Sequence, residues 1–327
     1  MPNRKVLAFV LAGGKGTRLY PLTAEHAKPA LPVAGGYRIV DFVLSNLVNS
    51  GVSPIYVLVQ HNPRSLIEHL RAAWSLGSGN AGRLIEVILP RDELGREGFR
   101  GTADAVYQNL DLLEQHRPDV VAVFAADHVY RMDVRQMHDA HRARGADLTI
   151  AALPVPLEQA SALGVMVTGS DRRVVDFQEK PQRPAASPGM PSHAYASMGN
   201  YLFDPEILVR ALTEAHARGE HDFGHHIMPR LSRSARTYAY DFATNRVPGA
   251  HPEEHGYWRD VGTIEAYQEA QRDVAGPRPR FRLSNPEWPT GRSEPAAPQS
   301  ARLRGWRDAA SRTSPVQAML SDPASGQ

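Results

Sequence analysis

The chain has 327 residues, 42% of them apolar, no cysteine and a formal net charge of +2. That length and apolar share suit one large α/β domain or two smaller ones. The near-neutral charge gives no footprint for a nucleic acid partner, and the lack of cysteine excludes disulfides and thiolate metal sites and suits a reducing cytoplasm. Arg4 and Lys5 precede an apolar run at 6–12 that stops at Gly13-Gly14, a pattern of a buried strand feeding a glycine loop rather than an export signal. Short apolar runs at 55–60, 84–89, 120–126 and 148–153 predict further strands, and helical spacing predicts helices at 39–49, 64–74, 102–115 and 134–144. In 102–115 the apolar face is Ala105, Val106, Leu110 and Leu113, with Gly101 or Thr102 at the cap. This alternation implies βαβ crossovers and a Rossmann-like, doubly wound, mainly parallel sheet, an α/β fold.

Beyond residue 155 the predicted strands shorten, at 165–168, 174–178 and 196–203, with helices at 205–218, 223–232 and 264–274. No linker separates the halves, so residues 1–275 are expected to form one catalytic domain. Residues 276–327 are rich in Pro, Arg, Ser and Ala without sustained period, and a disordered or loosely packed tail is expected there. No apolar stretch approaches the ~20 residues of a membrane span, so a soluble, cytoplasmic protein with no membrane partner is expected.

The first strand runs into Gly13-Gly14-Lys15-Gly16-Thr17-Arg18. Glycines let the backbone turn and present N–H groups to an anion, while Lys15 and Arg18 add positive charge, as a triphosphate cradle requires. Neither a dinucleotide fingerprint nor a Walker loop fits: Tyr20-Pro21 does not continue as a helix, and Lys15 is followed by glycine. The strand at 120–126 ends in Asp127, on the edge where open α/β sheets bind ligands, although a turn-capping Asp would sit there too. A second acid, Asp260, follows another short apolar run, and two carboxylates with phosphate oxygens make a hard-oxygen site for Mg²⁺. Glu179-Lys180-Pro181 reads either as a surface ion pair or as an acceptor and a cation for a phosphorylated sugar. His221, His225 and His226 have an i,i+4 pair that could face a zinc ion, but no third ligand of evident role.

The blocks Leu11-Ala12-Gly13-Gly14-Lys15-Gly16-Thr17-Arg18-Leu19, Pro21-Leu22-Thr23 and Ala27-Lys28-Pro29-Ala30 resemble the signature of sugar-1-phosphate nucleotidyltransferases. Continuing through Arg38-Ile39-Val40-Asp41-Phe42 and Leu44-Ser45-Asn46, the resemblance narrows to bacterial ADP-glucose pyrophosphorylases and covers roughly residues 5 to 290. It implies the nucleotide-diphospho-sugar transferase fold and the reaction of ATP with glucose 1-phosphate to ADP-glucose and pyrophosphate, a step of glycogen or α-glucan synthesis. It implies that Arg18, Lys28, Asp127 and Asp260 carry the chemistry, with Asp127 and Asp260 holding Mg²⁺. Leu11, Ala12, Gly13, Gly14, Lys15, Gly16, Thr17, Gln60, Gly101, Thr102 and Asp104 would meet the nucleotide. Phe99, Gly164, Glu179, Lys180, Ser197, Tyr201, Asp222 and Trp258 would form the sugar-phosphate side.

Three positions depart from the family pattern: Phe99 stands where Tyr is common, Ala126 where many members have Gly, and Glu25 where some have an activator-binding Lys. The family's C-terminal left-handed β-helix of hexapeptide repeats has no counterpart in this sequence. A short form is therefore expected, with homo-oligomer or partner-subunit contacts weakened. The alternatives are a non-catalytic regulatory or remnant subunit, or an enzyme for another sugar 1-phosphate.

Overall fold

The computed structural model describes residues 5–34, 36–74, 76, 84–90 and 98–291. Strand β1 (Val6–Leu11) leads through 3-10 turns at Thr17–Leu19 and Lys28–Ala30 to α1 (Ile39–Asn49), β2 (Ile55–Leu58), α2 (Pro63–Trp74) and β3 (Ile85–Ile88). Next come α3 (Thr102–Tyr107), α4 (Asp111–His116), β4 (Val120–Ala125), β5 (His128–Tyr130) and α5 (Val134–Ala143). They are followed by β6 (Leu148–Pro156), α6 (Leu157–Ala160), β7 (Gly164–Thr168), β8 (Val174–Glu179), β9 (His193–Phe203) and α7 (Pro205–Ala217). A π-helical turn (Phe223–Ile227), α8 (Met228–Ser234), β10 (Thr237–Asp241), β11 (Trp258–Asp260) and α9 (Ile264–Ala275) close the sequence of elements.

The sheet runs β10-β6-β9-β4-β1-β2-β3. Along this path the pairs are parallel except around β9, which lies antiparallel between β4 and β6, and β7 joins β9 and β8 joins β7 off the path, both antiparallel. Leu7, Ala8, Phe9 and Val10 of β1 and Val121 to Phe124 of β4 have no exposed surface. Such continuous apolar runs are what a sheet covered on both faces demands. Alternate residues enter different cores. Ala8, Val10, Ala122 and Phe124 pack with α1, α2 and α5, while Leu7, Phe9, Val121 and Val123 pack with α3 and α7.

Chain order places β2 on one side of β1 and β4 on the other, so the carboxyl end of β1 is the switch point where α/β sheets leave a crevice. Parallel pairing of Leu11 with Ala125 brings the residues after β1 beside those after β4.

Three expectations are corrected. The helix expected over 102–115 is two helices, α3 and α4. The Asn109 side chain donates to the Ala105 carbonyl, which would otherwise take the Asn109 N–H, and that N–H turns to Val106 instead. Strands β5, β10 and β11 were not expected; two of them have three residues each, too short to show a period. Within the stretch expected from Gly276 as a disordered or loosely packed tail, residues 281–290 pack on the body: Phe281, Asn285, Trp288 and Thr290 are buried. The Phe281 ring meets Phe42 of α1 edge-on at 5.5 Å, Asn49 donates to the Pro289 carbonyl at 2.8 Å, and Gly291 N–H donates to Ser45 Oγ at 2.7 Å. The remainder of the expected tail, from 292, lies outside the described residues. No helix among the described residues is long and apolar enough to cross a membrane.

Phe281 is 1% exposed, so Phe281→Ala is expected to lower stability by about 3–5 kcal/mol in urea unfolding, the range for emptying a buried aromatic site. A strap lying loosely on the surface would lose well under 1 kcal/mol.

Candidate active site

A cleft of about 830 Å³ opens at the carboxyl ends of β1, β2 and β4. Leu11, Ala12, Gly13, Gly14 and Lys15 form one wall, and Gln60 and His61 extend it from the end of β2. Phe99, Gly101 and Thr102 face them, and Lys28, Asp127 and Asp222 complete the lining. Of the glycines in the first loop, only Gly16 has a left-handed backbone, with φ +64°. A Cβ there would meet Thr23 Cγ2 at 2.9 Å and Lys28 Cβ at 3.3 Å, so this glycine both turns the chain and lets the Lys28 stem come close. Thr17 and Arg18 follow on the 3-10 turn, exposed. The His61 pKa is lowered by burial and then by the Lys15 charge, which keeps the imidazole neutral beside the loop.

The Gln60 side chain closes the far wall by accepting the Phe99 N–H at 2.9 Å. Gly101 lies so close to the next segment that a Cβ would sit 2.3 Å from the His221 carbonyl oxygen. Asp104 does not reach the cleft. It is buried, and its carboxylate accepts from Arg100 N–H, the Arg100 guanidinium and Gln108.

The acids converge as the two short strands dictate. β11 pairs antiparallel with β5 so that Asp260 lies opposite His128, and Val261 N–H donates to the Asp127 carbonyl at 3.2 Å. Lys28 Nζ is 2.7 Å from Asp127 Oδ2 and 3.7 Å from Asp260 Oδ1, and His128 Nε2 is 3.2 Å from Asp127 Oδ1. Burial alone would raise the Asp127 pKa, but the charges of Lys28 and His128 and the Lys28 hydrogen bond outweigh it and hold the carboxyl well below the usual range. Asp127, His128 and Asp260 offer ligand atoms that all lie within 4.8 Å of one another, the only such group among the described residues. Both carboxylates keep exposed surface, 34% and 27%. Two hard oxygens already drawn toward a shared cation suit a divalent ion of the Mg²⁺ type. Arg18 stands beside this group: a Cβ on Gly262 would lie 2.8 Å from Asp260 Oδ2 and 3.3 Å from Arg18 Nη2.

The remaining predicted residues, Trp258 excepted, gather around the π-helical turn, next to the cleft. Gly164 of β7 pairs directly with Glu179 of β8, and Lys180 Nζ lies 2.8 Å from Glu179 Oε1. Ser197 and Tyr201 of β9 flank a register shift at which three residues of β9 lie opposite one of β6, and their hydroxyl oxygens are 3.5 Å apart. Burial pushes the Tyr201 phenol up, with the charges of Glu179, Asp222 and Asp127 adding, so its hydroxyl stays protonated among three acids.

Asp222 caps the turn by accepting His225 N–H at 2.9 Å, and it takes the Thr102 hydroxyl at 3.0 Å. Burial opposes the ionisation of Asp222, but these hydrogen bonds prevail and lower its pKa. The Trp258 ring lies 4.9 Å from that of His128, tilted at 45°, and does not line the cleft. His225 and His226 are engaged with Asp222, through contacts of 3.2 Å and 3.1 Å. The sequence reading did not single out His61, Arg100 or His128. His128 alone had a signal there, as the neighbour of Asp127.

The chain matches the nucleotidyl transferase family model over residues 7–276. It belongs to that family, whose members act on a nucleotide and a sugar phosphate with a divalent metal. Within it, the chain is similar to proteins named glucose-1-phosphate adenylyltransferase. The one from Thermodesulfovibrio yellowstonii is 52% identical over 287 residues, covering 87% of this chain and 70% of the relative. That from Thermus thermophilus is 49% identical over 297 residues, 88% of this chain and 71% of the relative, and that from Corynebacterium jeikeium 46% over 291 residues, 88% and 72%.

In Lys28→Met the main opponent of burial is removed, so the Asp127 pKa should rise, visible as an upward shift in a carboxyl-carbon NMR titration. A folded-state pKa held low contributes stability above the unfolded value of about 3.9 and loses it as pH falls through the folded value. The variant should therefore lack this contribution near neutrality, and an unchanged titration would show that Lys28 does not set the Asp127 charge.

Proposed function

We propose that this chain is a glucose-1-phosphate adenylyltransferase, joining ATP and glucose 1-phosphate into ADP-glucose with release of pyrophosphate for glycogen or α-glucan synthesis. The observation that carries this is the meeting of three things at one sheet edge: a glycine loop, a pair of carboxylates spanned by Lys28, and an acid–lysine pair beside them. A plain nucleotide-binding module would have no use for the last of these. The similarity to adenylyltransferases supports ATP over other nucleotides and glucose 1-phosphate over other sugars.

On this proposal a phosphate oxygen of the sugar phosphate attacks the α-phosphorus of ATP. The new O–P bond forms as the bond to the β-phosphate oxygen breaks, and pyrophosphate takes the electron pair. The nucleophile is already an anion, so no side chain has to remove a proton, and catalysis reduces to positioning and charge neutralisation. The loop amides, Lys15 and Arg18 would hold the triphosphate. Lys28 would neutralise charge near the leaving group, and Lys180 would fix the incoming phosphate. Glu179 would accept sugar hydroxyls, and Ser197, Tyr201 and Asp222 would complete that side. Asp127 and Asp260 would hold Mg²⁺, which when bound supplies charge stabilisation to phosphate oxygens. Residues 1 to about 291 would form this catalytic domain.

Pyrophosphate release should appear with Mg²⁺, glucose 1-phosphate and ATP, and not with the other nucleoside triphosphates. Silence with every nucleotide from folded protein would instead favour a non-catalytic subunit. Asp127→Ala is expected to lose about a thousandfold or more in kcat, the scale for removing a group that stabilises developing charge, with the fold retained and stability lowered near neutrality by the loss of the Lys28–Asp127 pair. Lys180→Gln should raise the KM for glucose 1-phosphate roughly tenfold or more, as the loss of a charge-assisted hydrogen bond does, and leave the KM for ATP unmoved.

A further inference from the structure

Gly224 is the second residue of the π-helical turn, and it is not among the glycines with positive φ. Its backbone therefore makes no demand for glycine. The space around it does. A Cβ at Gly224 would lie 2.5 Å from Glu179 Oε2, 2.7 Å from the carboxyl carbon and 3.3 Å from Oε1. All three nearest atoms belong to one carboxylate. Gly164 comes nearly as close to the same group, its Cβ position being 3.1 Å from Oε2, while Lys180 Nζ lies 2.8 Å from Oε1.

We propose that Gly224 is a positioning residue for the sugar-phosphate half, its missing Cβ setting the direction in which Glu179 presents its carboxylate. The proposal rests on Glu179 as the acceptor of sugar hydroxyls. The two glycines differ in what a side chain would displace. At Gly164 a Cβ would also strike the Phe177 ring at 2.4 Å, which is packed in the core. At Gly224 the obstacle is only the far end of a flexible side chain.

The turn itself cannot yield. Asp222 caps it, Thr102 Oγ1 donates to Asp222 Oδ2 and accepts the Phe223 N–H, and the buried Phe223 ring lies 6.0 Å from that of Tyr201 and 5.8 Å from that of Phe203. An alanine at 224 is therefore accommodated by turning the Glu179 carboxylate away, with the fold kept. π-helical turns recur at functional sites, where the extra residue re-aims a short stretch of chain, and here it brings a residue without a side chain against an acid.

The test is steady-state kinetics on Gly224→Ala, Glu179→Ala and the double variant, with thermal unfolding of each. Gly224→Ala should raise the KM for glucose 1-phosphate about tenfold, the scale of one hydrogen bond to a charged group, with the KM for ATP and the unfolding midpoint near wild type. In the Glu179→Ala background the same substitution should have no further effect. Glu179→Asp, one methylene shorter, should recover part of the loss when combined with Gly224→Ala, and that pair also serves if the single variant folds poorly. An unchanged KM in Gly224→Ala, set against a raised KM in Glu179→Ala, overturns the proposal and leaves the role of Glu179 standing. So does an equal penalty in both backgrounds, or a double variant with Glu179→Asp that recovers neither folding nor KM. An unchanged KM in Glu179→Ala overturns the role of Glu179, and the proposal with it.

Discussion

Two carboxylates brought into the same few ångströms repel each other unless a cation lies between them, and the active edge of this protein is organised around that requirement. Lys28 meets it, at 2.7 Å from Asp127 and 3.7 Å from Asp260. A 9% exposed lysine needs firm support, because a long side chain loses much rotamer freedom when held. The support comes from both directions. Gly16 lets the glycine loop lie against the Lys28 stem. The short turn that carries Lys28 is tied down where Arg38 donates to the Ala30 carbonyl at 3.0 Å and Gln271 to the Pro32 carbonyl at 2.8 Å. The charge pair thus draws on the residue that caps α1 and on α9, neither of which contributes to the cleft lining.

Helix α1 shows how a polar motif can be scaffold. Asp41 is 2% exposed, accepts the Trp74 indole N–H at 2.7 Å and lies 2.7 Å from His69, so it fastens α2 to α1. Asn46 donates to the Tyr130 carbonyl and accepts the Met132 N–H, which fixes the chain just beyond Asp127. Buried polar groups of this kind are costly when unpaired and specific when satisfied. The strap at 281–291 uses the same helix, so the end of the described chain and the start of the site share one support.

The nucleotide side and the sugar side meet at Thr102 and Asp222. The Thr102 hydroxyl donates to the Asp222 carboxylate and accepts the Phe223 N–H, while Ala103 N–H donates to the His221 carbonyl. The amino end of α3 and the π-helical turn are thereby joined as one piece. The absent side chain of Gly101 makes the contact possible, since a Cβ would overlap the His221 carbonyl.

Much of this molecule could be read from its sequence, because the signals involved are local. Continuous apolar runs mark strands buried on both faces, the step from strand to glycine loop marks the switch point, and acids after short apolar runs mark the ligand edge. Lys15 and Asp127 were legible for the same reason, whereas Lys28 and the sugar-side reading of Glu179 and Lys180 came from the resemblance to a known family. The break at Asn109 was not, since it depends on a side chain competing for a backbone carbonyl. Nor were β5 and β11, because three residues carry no period; yet their pairing alone brings Asp260 to Asp127. Side-chain direction hid Asp104, which turns inward to Arg100 only four residues away; distance in sequence hid the approach of His128 to Asp260 and of Gly224 to Glu179. The sequence by itself determined which chemical groups this protein owns and at which sheet edge most of them would emerge. Only the tertiary structure decided which of them touch, because long-range register and close packing, rather than local pattern, set those distances.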